Sequence, residues 1–443
     1  MVLVSNINNK QFLSLLVGVM PFSFMAGNML ISINTFLLIL IPLLIFGKEI
    51  FKIKIHLLDK IMISFFLLVL ITGIINNFHL YPIIKTWEPY LKISTDEYFL
   101  TIIKSLLFFK YLFIYFVLRF LIEKEIIDLK LFFIFSAVAS LFVCFDIFYQ
   151  FLNGKDIFGY VATGRKLSGP FGDELIAGGF VQRFSLFTFF VLPLFFKNLK
   201  VNFKIIIPFL FLIFFIGIIL SGNRMPLILF ILALCLVILF QKQTRKFFFP
   251  FIIIFSLTFF LVFNFNKLVR DNFLSFYGQT SKMVSIIMNK DLGKKAYPQY
   301  LKEFSTFYDT WLINKYIGGG IKNFRYYCHK RANIEKSKEF ICNMHPHNYY
   351  LEILTETGLV GFVLILLVFA ITLYITFFKK YFTNSNLAQN NYIIPFIFLF
   401  IVEIFPIKST GSFFTTGNAT YLFLILGILI GLTRKENLIE NQK

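Results

Sequence analysis

The chain has 443 residues, of which 58% are hydrophobic and only 15% charged, and it carries a formal net charge of +20. A mean hydropathy of +0.78 excludes an ordinary soluble domain. The basic excess is scattered over short turns between apolar runs rather than gathered into a tract, which argues against nucleic acid as a partner. The apolar runs are long enough to cross a bilayer. The expected fold class is therefore all-α: a polytopic bundle of about twelve spans forming one integral membrane domain over residues 1–443, with a long, partly helical outer loop at 265–349. The first run continues into further spans without a small-residue cleavage site, so no cleavable leader is expected. The 65 Phe fit a compositional bias and carry no functional argument singly.

In chain order, spans are expected at roughly 11–27, 29–46, 60–76, 98–118, 132–152, 176–196, 204–221, 225–241, 247–264, 350–378, 392–406 and 418–433. With the N-terminus in the cytoplasm, every second turn should be basic. Those turns carry Lys48, Lys52, Lys54 and Lys60, then Arg119, Lys124 and Lys130, then Lys197, Lys200 and Lys204. Lys242, Arg245 and Lys246 follow, then Lys379 and Lys380, and finally Arg434 and Lys435. One topology satisfies all of them, with both termini cytoplasmic. Much of the charge is then a topological signal facing anionic headgroups. The outward segments are 77–97, 153–175, the "SGNR" turn at 221–224, the loop at 265–349 and "PIKSTGSFFTTG" at 406–417.

Within the "GPFGDELIAGGFVQRF" stretch, Asp173 and Glu174 are placed at the outer face and Arg183 deeper in a span. Arg183 needs a partner there, and either carboxylate is available to pair with it or to move protons. Arg224 follows the small "SGN" turn at the outer edge of the next-but-one span. It suits two-point recognition of phosphate oxygens, with a snorkelling anchor as the simpler alternative. In the long loop, Tyr297, Tyr300, Leu301, Phe304, Phe307, Tyr308, Trp311 and Leu312 form one helical stripe. This predicts a helix lying at the membrane surface with its aromatics in the interface. "GGGIKNFR", Gly318–Arg325, ends that helix in a turn and lacks the strand-turn-helix setting of a nucleotide loop. Cys328 and Cys342 flank a polar stretch outside the cytoplasm. A disulfide there would contribute about 3 kcal/mol by closing a loop of about 15 residues. A metal site with His329, His345 and His347 is the alternative, although the spacings match no familiar zinc pattern.

The most concentrated polar chemistry is "HPHNYYLEILTETG", His345–Gly358. Asn348 is placed to cap a helix, leaving His347 at its N-terminus near the outer boundary. Glu352 and Glu356 fall on one helical face. An imidazole at a helix N-terminus is kept neutral more readily and is available as a base or donor.

These residues resemble the signature of the O-antigen ligase and O-antigen polymerase superfamily of bacterial glycan-transferring membrane enzymes. That signature is His, then Asn, Ser or Gln, nine residues, Gly, two residues, and Gly, Thr or Tyr. Here it reads His347, Asn348, nine residues from Tyr349 to Thr357, then Gly358, Leu359, Val360 and Gly361. The "GGGIKNFR" turn upstream, the long late loop and about twelve spans are similar as well. The resemblance implies transfer of a glycan from undecaprenyl pyrophosphate to an acceptor sugar at the periplasmic side of the inner membrane. The acceptor is the lipid A core for a ligase, the weakly preferred reading, or another lipid-linked repeat for a polymerase. It implies His347 as base or acceptor-positioning group, with Asn348 beside it, and Arg224 as a pyrophosphate contact. Glu352 or Glu174 would hold the imidazole. The family's second arginine, expected before the glycines, has Lys302 near its place; Arg325, Arg270, Arg183 and Lys408 are the other cations positioned to serve. No Asp-x-Asp cluster lies outside, so no divalent metal and no cofactor are expected. A transporter is the rival from another class, with Arg183, Glu403 and Asp146 lining a path, against which no inverted repeat of broken helices is visible.

Overall fold

Backbone amides cannot be left unpaired in hydrocarbon, and the chain answers with helices almost throughout. The computed structural model describes residues 6–91, 100–162, 166–195, 203–288, 298–331, 342, 347–382, 392–409 and 411–440. The first pass is made of α1 (Asn6–Gly18) and α2 (Met20–Ala26), with Pro21 in the first turn of α2. There follow α3 (Asn28–Phe46), α4 (Leu57–Leu91), α5 (Leu100–Phe108), α6 (Lys110–Glu123), α7 (Lys130–Asn153) and α8 (Ala177–Phe195). Next are α9 (Phe203–Leu220), α10 (Arg224–Phe240), α11 (Phe248–Phe265) and α12 (Lys267–Ile287). The long loop holds α13 (Gln299–Trp311) and α14 (Phe324–Tyr327). The bundle is completed by α15 (Tyr349–Leu373), α16 (Ile393–Glu403) and α17 (Thr416–Glu440). Helices overlie each expected span. Among the described residues, 8 helical stretches are long and apolar enough to cross a membrane, while α9, α10 and α16 are apolar but shorter.

The centre of the bundle is α17, whose residues from Tyr421 to Ile430 are nearly all buried hydrophobics. It packs along α6, and α7 packs along α8 and α1. Two glycines four apart, Gly427 and Gly431 in "GILIG", make the first of these contacts. A Cβ at Gly427 would lie 3.1 Å from the Tyr115 carbonyl oxygen, and one at Gly431 2.9 Å from Ile122 Cβ. Lipid chains are as apolar as leucine, so close backbone approach rather than hydrophobicity drives such pairs.

Three expectations change. Residues 77–91 are not a loop, because α4 continues the third span to Leu91. Arg119 is not a lipid-facing turn residue: it is buried in α6. Its Nη1 lies 2.6 Å from Asp59 Oδ2 and its Nε 2.6 Å from Glu123 Oε1, while Nη2 donates to the Lys54 carbonyl at 2.6 Å. Tyr115 donates to the other Asp59 oxygen at 2.7 Å. The surface helix α13 forms where expected, but it faces inward with Glu303, Thr306, Phe307 and Thr310. Phe307 stacks on Phe324 with ring centroids 3.8 Å apart. Phe304 and Tyr308, 51% and 49% exposed, point outward, the orientation an interfacial aromatic stripe requires.

Removing one partner of a buried ion pair leaves an uncompensated charge, which costs about 3–5 kcal/mol. Arg119→Ala is therefore expected to lower the thermal stability of the detergent-solubilised protein sharply. Asp59→Asn with Arg119→Met is expected to recover most of the loss in the same melting measurement.

Candidate active site

At the end of the bundle opposite Arg119, the signature residues build a short capped helix with a broken end. Asn348, in extended conformation, accepts from the Tyr350 and Leu351 amides at 2.9 and 3.2 Å, as a cap should. Its Nδ2 donates to the Pro406 and Lys408 carbonyls at 2.8 and 3.3 Å, tying the cap to the 404–415 turn. The helix runs from Tyr349 to Thr357 and breaks at Gly358, where φ is 66° and ψ −171°. That region is essentially closed to residues with a Cβ.

The break is filled by the "GGG" turn. Gly319 and Gly320 amides donate to the Thr355 and Glu356 carbonyls at 3.0 and 2.8 Å. In return, the Leu359 and Val360 amides donate to the Lys315 and Tyr316 carbonyls at 2.9 and 3.0 Å. Two backbones cross here without side chains between them. A Cβ on Gly358 would meet Tyr316 atoms at 2.3 Å, and one on Gly318 would meet Glu356 and Thr357 backbone at 2.4 Å. The glycine amides are thus committed to a helix and do not form a phosphate cradle. Asn76 of α4 donates to the Gly318 carbonyl at 3.1 Å and accepts from the Tyr327 hydroxyl at 2.6 Å. Asn323 joins the Gly319 carbonyl to Thr101 of α5.

The buried acids are placed differently from expectation. Glu352 does not stand as an open acceptor for the His347 ring: its two oxygens accept from the Ser412 hydroxyl and the Phe413 amide, with Lys322 Nζ 3.9 Å away. Lys322, at φ 64°, also donates to Ser412 at 2.9 Å. One turn on, Glu356 is fully buried, with the Lys322 backbone amide as its nearby donor.

Beside them lies a second cluster. Arg183 pairs not with Asp173 or Glu174, which are exposed, but with Glu403, Nη2 to Oε1 at 2.9 Å. The same nitrogen reaches Asn418 Oδ1 at 2.6 Å and the Tyr349 hydroxyl at 3.4 Å. Its guanidinium lies 4.8 Å from the Tyr421 ring centroid. Lys408 Nζ is 2.5 Å from the same Glu403 oxygen and 3.2 Å from the Tyr349 hydroxyl. Burial pushes the Lys408 ammonium down to about 8, against the pull of Glu403. Tyr349 itself donates to Glu403 at 2.6 Å. Two cations therefore share one carboxylate, and Arg183 keeps 15% of its side chain exposed.

His347 is exposed, immediately before the cap; His345 lies outside the described residues. Arg224 is the first residue of α10, its guanidinium 5.8 Å from the Phe276 ring centroid of α12. Its turn is fastened to the start of α8, since Asn223 Nδ2 donates to the Leu175 carbonyl at 3.0 Å. Arg325 stacks over Tyr326 at 5.0 Å and buries an unbonded Nε. Lys302 is half-buried on α13. Cys328 and Cys342 form a disulfide with Cα atoms 5.8 Å apart, so their sulfurs are unavailable as metal ligands. Arg331 Nη1 holds the pair through the Cys328 carbonyl at 2.6 Å. Asp146 is buried and accepts from the Ile157 amide at 2.8 Å, which fixes the loop after α7. Lys322, Ser412, Tyr349 and Asn418 had no sequence signal of their own, although Lys322 and Ser412 lie within the two outer turns singled out above.

Because the crossing admits no Cβ, Gly358→Ala must either strain the backbone by about 1–3 kcal/mol or separate the two segments. The expected outcome is protein that inserts but melts earlier and loses activity. Gly278→Ala in α12, whose added methyl meets nothing within 4 Å, should behave as wild type in the same melts.

Residues 209–366 match the family model described as O-antigen ligase. The matched stretch runs from α9 to α15, and includes Arg224, the disulfide, the glycine turn and the whole signature, while Arg183, Glu403 and Lys408 fall outside it. No curated protein matches the chain. Over residues 209–366, which hold the complete signature, the chain is similar to the O-antigen ligase family, and this stretch sits within a polytopic helical bundle.

Proposed function

We propose that this protein is a glycosyltransferase of the O-antigen ligase type. It moves a glycan from undecaprenyl pyrophosphate to a sugar of the lipid A core at the periplasmic face of the inner membrane. The observation that carries this reading is the buried cluster of two cations on one carboxylate, joined by the hydroxyl of Tyr349, which stands two residues along the chain from the exposed His347. A surplus positive charge in a water-poor site is costly unless an anion meets it. A pyrophosphate at headgroup level supplies that anion.

In the reaction, a hydroxyl oxygen of the acceptor attacks the anomeric carbon of the glycan. The bond from that carbon to the pyrophosphate oxygen breaks, and the lipid pyrophosphate leaves with the electron pair. His347 takes or orients the hydroxyl proton, a contribution of about 10²–10⁴-fold. Arg224 and the exposed edge of Arg183 stabilise the leaving charge, often the largest catalytic term. Asn348 fixes the position of His347 by capping α15. Glu352 acts through Lys322 and Ser412, holding the 412–413 turn, and Lys408 sets the orientation of Glu403 and Arg183. Glu174 is assigned as the second carboxylate available to orient the His347 imidazole, and Arg325 and Lys302 as further cations for the pyrophosphate. The scheme assigns no step to a divalent ion, so EDTA should leave the rate unchanged.

His347→Ala is expected to lower transfer in lipid-reconstituted assays by at least about a hundredfold with little change in melting temperature; near-normal transfer would refute the assignment. A lipopolysaccharide gel of a strain lacking the protein separates ligase from polymerase. Bare cores with polymer left on the carrier are expected, whereas cores bearing one repeat would assign a polymerase.

A further inference from the structure

At the other end of the bundle, α8, α9, α10 and α11 part to leave a cavity of about 300 Å³, at the lower end of the range for ligand sites. Its shaft is apolar, lined among others by Leu186, Phe190, Ile207, Phe211, Val237 and Phe251. Pro193, Pro208 and Pro250 also line it; inside α8 and α9 the first two each remove a ladder hydrogen bond, while Pro250 lies in the first turn of α11. The rim is polar and basic. Gln241, Thr244 and Lys246 border it, and no acidic residue does among the described residues. Gln241 is engaged with the Tyr381 hydroxyl at 2.8 Å, and Thr244 with the Val237 and Gln241 carbonyls at 2.9 Å. That leaves the exposed Lys246 as the charge presented at the mouth, with Lys242 and Arg245 exposed in the same turn.

An unfilled apolar void forfeits dispersion contacts on all its walls, and in a bilayer the material at hand is an acyl chain. Such a chain gains little by leaving one apolar medium for another, so any selectivity has to come from the headgroup. A basic, acid-free rim at the level of the positive-inside turn favours a phosphate without a compensating amine. We propose that this cavity is a binding site for an anionic phospholipid of the cytoplasmic leaflet, with one acyl chain in the shaft and its phosphate on Lys246. The site is distinct from the one that contains His347 and Arg183, since it lies at the C-terminal halves of α8 and α10.

The test uses the full chain in nanodiscs containing phosphatidylglycerol or phosphatidylcholine, each with a photoreactive group in its acyl tail, and maps the cross-links by mass spectrometry. Phosphatidylglycerol should label the α10 and α11 walls several-fold above phosphatidylcholine. Lys246→Gln should reduce that labelling about fivefold, the value of one basic contact near an anionic headgroup. Val237→Trp, which fills the shaft, should abolish labelling; if it fails to fold, Ile207→Trp on the facing wall serves the same purpose. Equal labelling by both lipids, or labelling that survives a shaft-filling variant in folded protein, would mean annular lipid only and overturn the proposal.

Discussion

Glu403 is the group on which the site depends. A carboxylate at the end of an apolar helix, removed from water, has to be matched by charge and hydrogen bonds. The matching recruits Arg183 from α8, Tyr349 from α15 and Lys408 from the turn after α16. Through Arg183 it also recruits Asn418 and Tyr421 from α17. One acid therefore draws four helix ends to a common point. The match is uneven, two cations to one anion, and the proposed function rests on that unevenness.

The glycine crossing is the second constraint, and it gives the family signature a physical meaning. The nine residues between Asn348 and Gly358 are the whole length of a helix, about 13 Å at 1.5 Å per residue. At one end a side chain caps the amides; at the other, a glycine lets the backbone leave helical geometry so that another loop can complete the hydrogen bonding. A longer or shorter spacer would move His347 off the site or separate Gly358 from Gly318. The spacing is thus a distance specification between the end that carries His347 and an anchoring end.

Much of this was legible in the chain. Helix positions followed from apolar run length, the Asn348 cap from residue type beside an apolar stretch, and the disulfide from two cysteines in an outer loop. What escaped reading depended on partners distant in sequence. Arg183 and Glu403 are 220 positions apart, so the nearer carboxylates at Asp173 and Glu174 looked like the natural partners. Arg119 was indistinguishable from a turn lysine, because the positive-inside signal counts charge and ignores burial. In α13 the stripe was correctly located, but which face meets protein was decided by Phe307 stacking on Phe324, a contact no periodicity encodes. The close pairing of α17 with α6 was visible in "GILIG" and needed only the small-residue rule.

The course of α17 has a consequence for how substrate must arrive. Near one end its Asn418 and Tyr421 belong to the Arg183 cluster. Near the other, Gly431 sits against Ile122 and Arg119, and Lys435 pairs with Glu125 at 3.1 Å. A slide of even one helical turn, about 5.4 Å, would break both ends at once, and rocking would pull the glycine seam from α6. The central helix is pinned like an axle in two bearings. Under the proposed function, motion that would admit a lipid-linked chain falls to the periphery, to α11, α12 and α13, whose apolar faces look outward. For the lipid-linked substrate proposed above, this leaves a lateral way in, through the bilayer, toward a centre held at both ends.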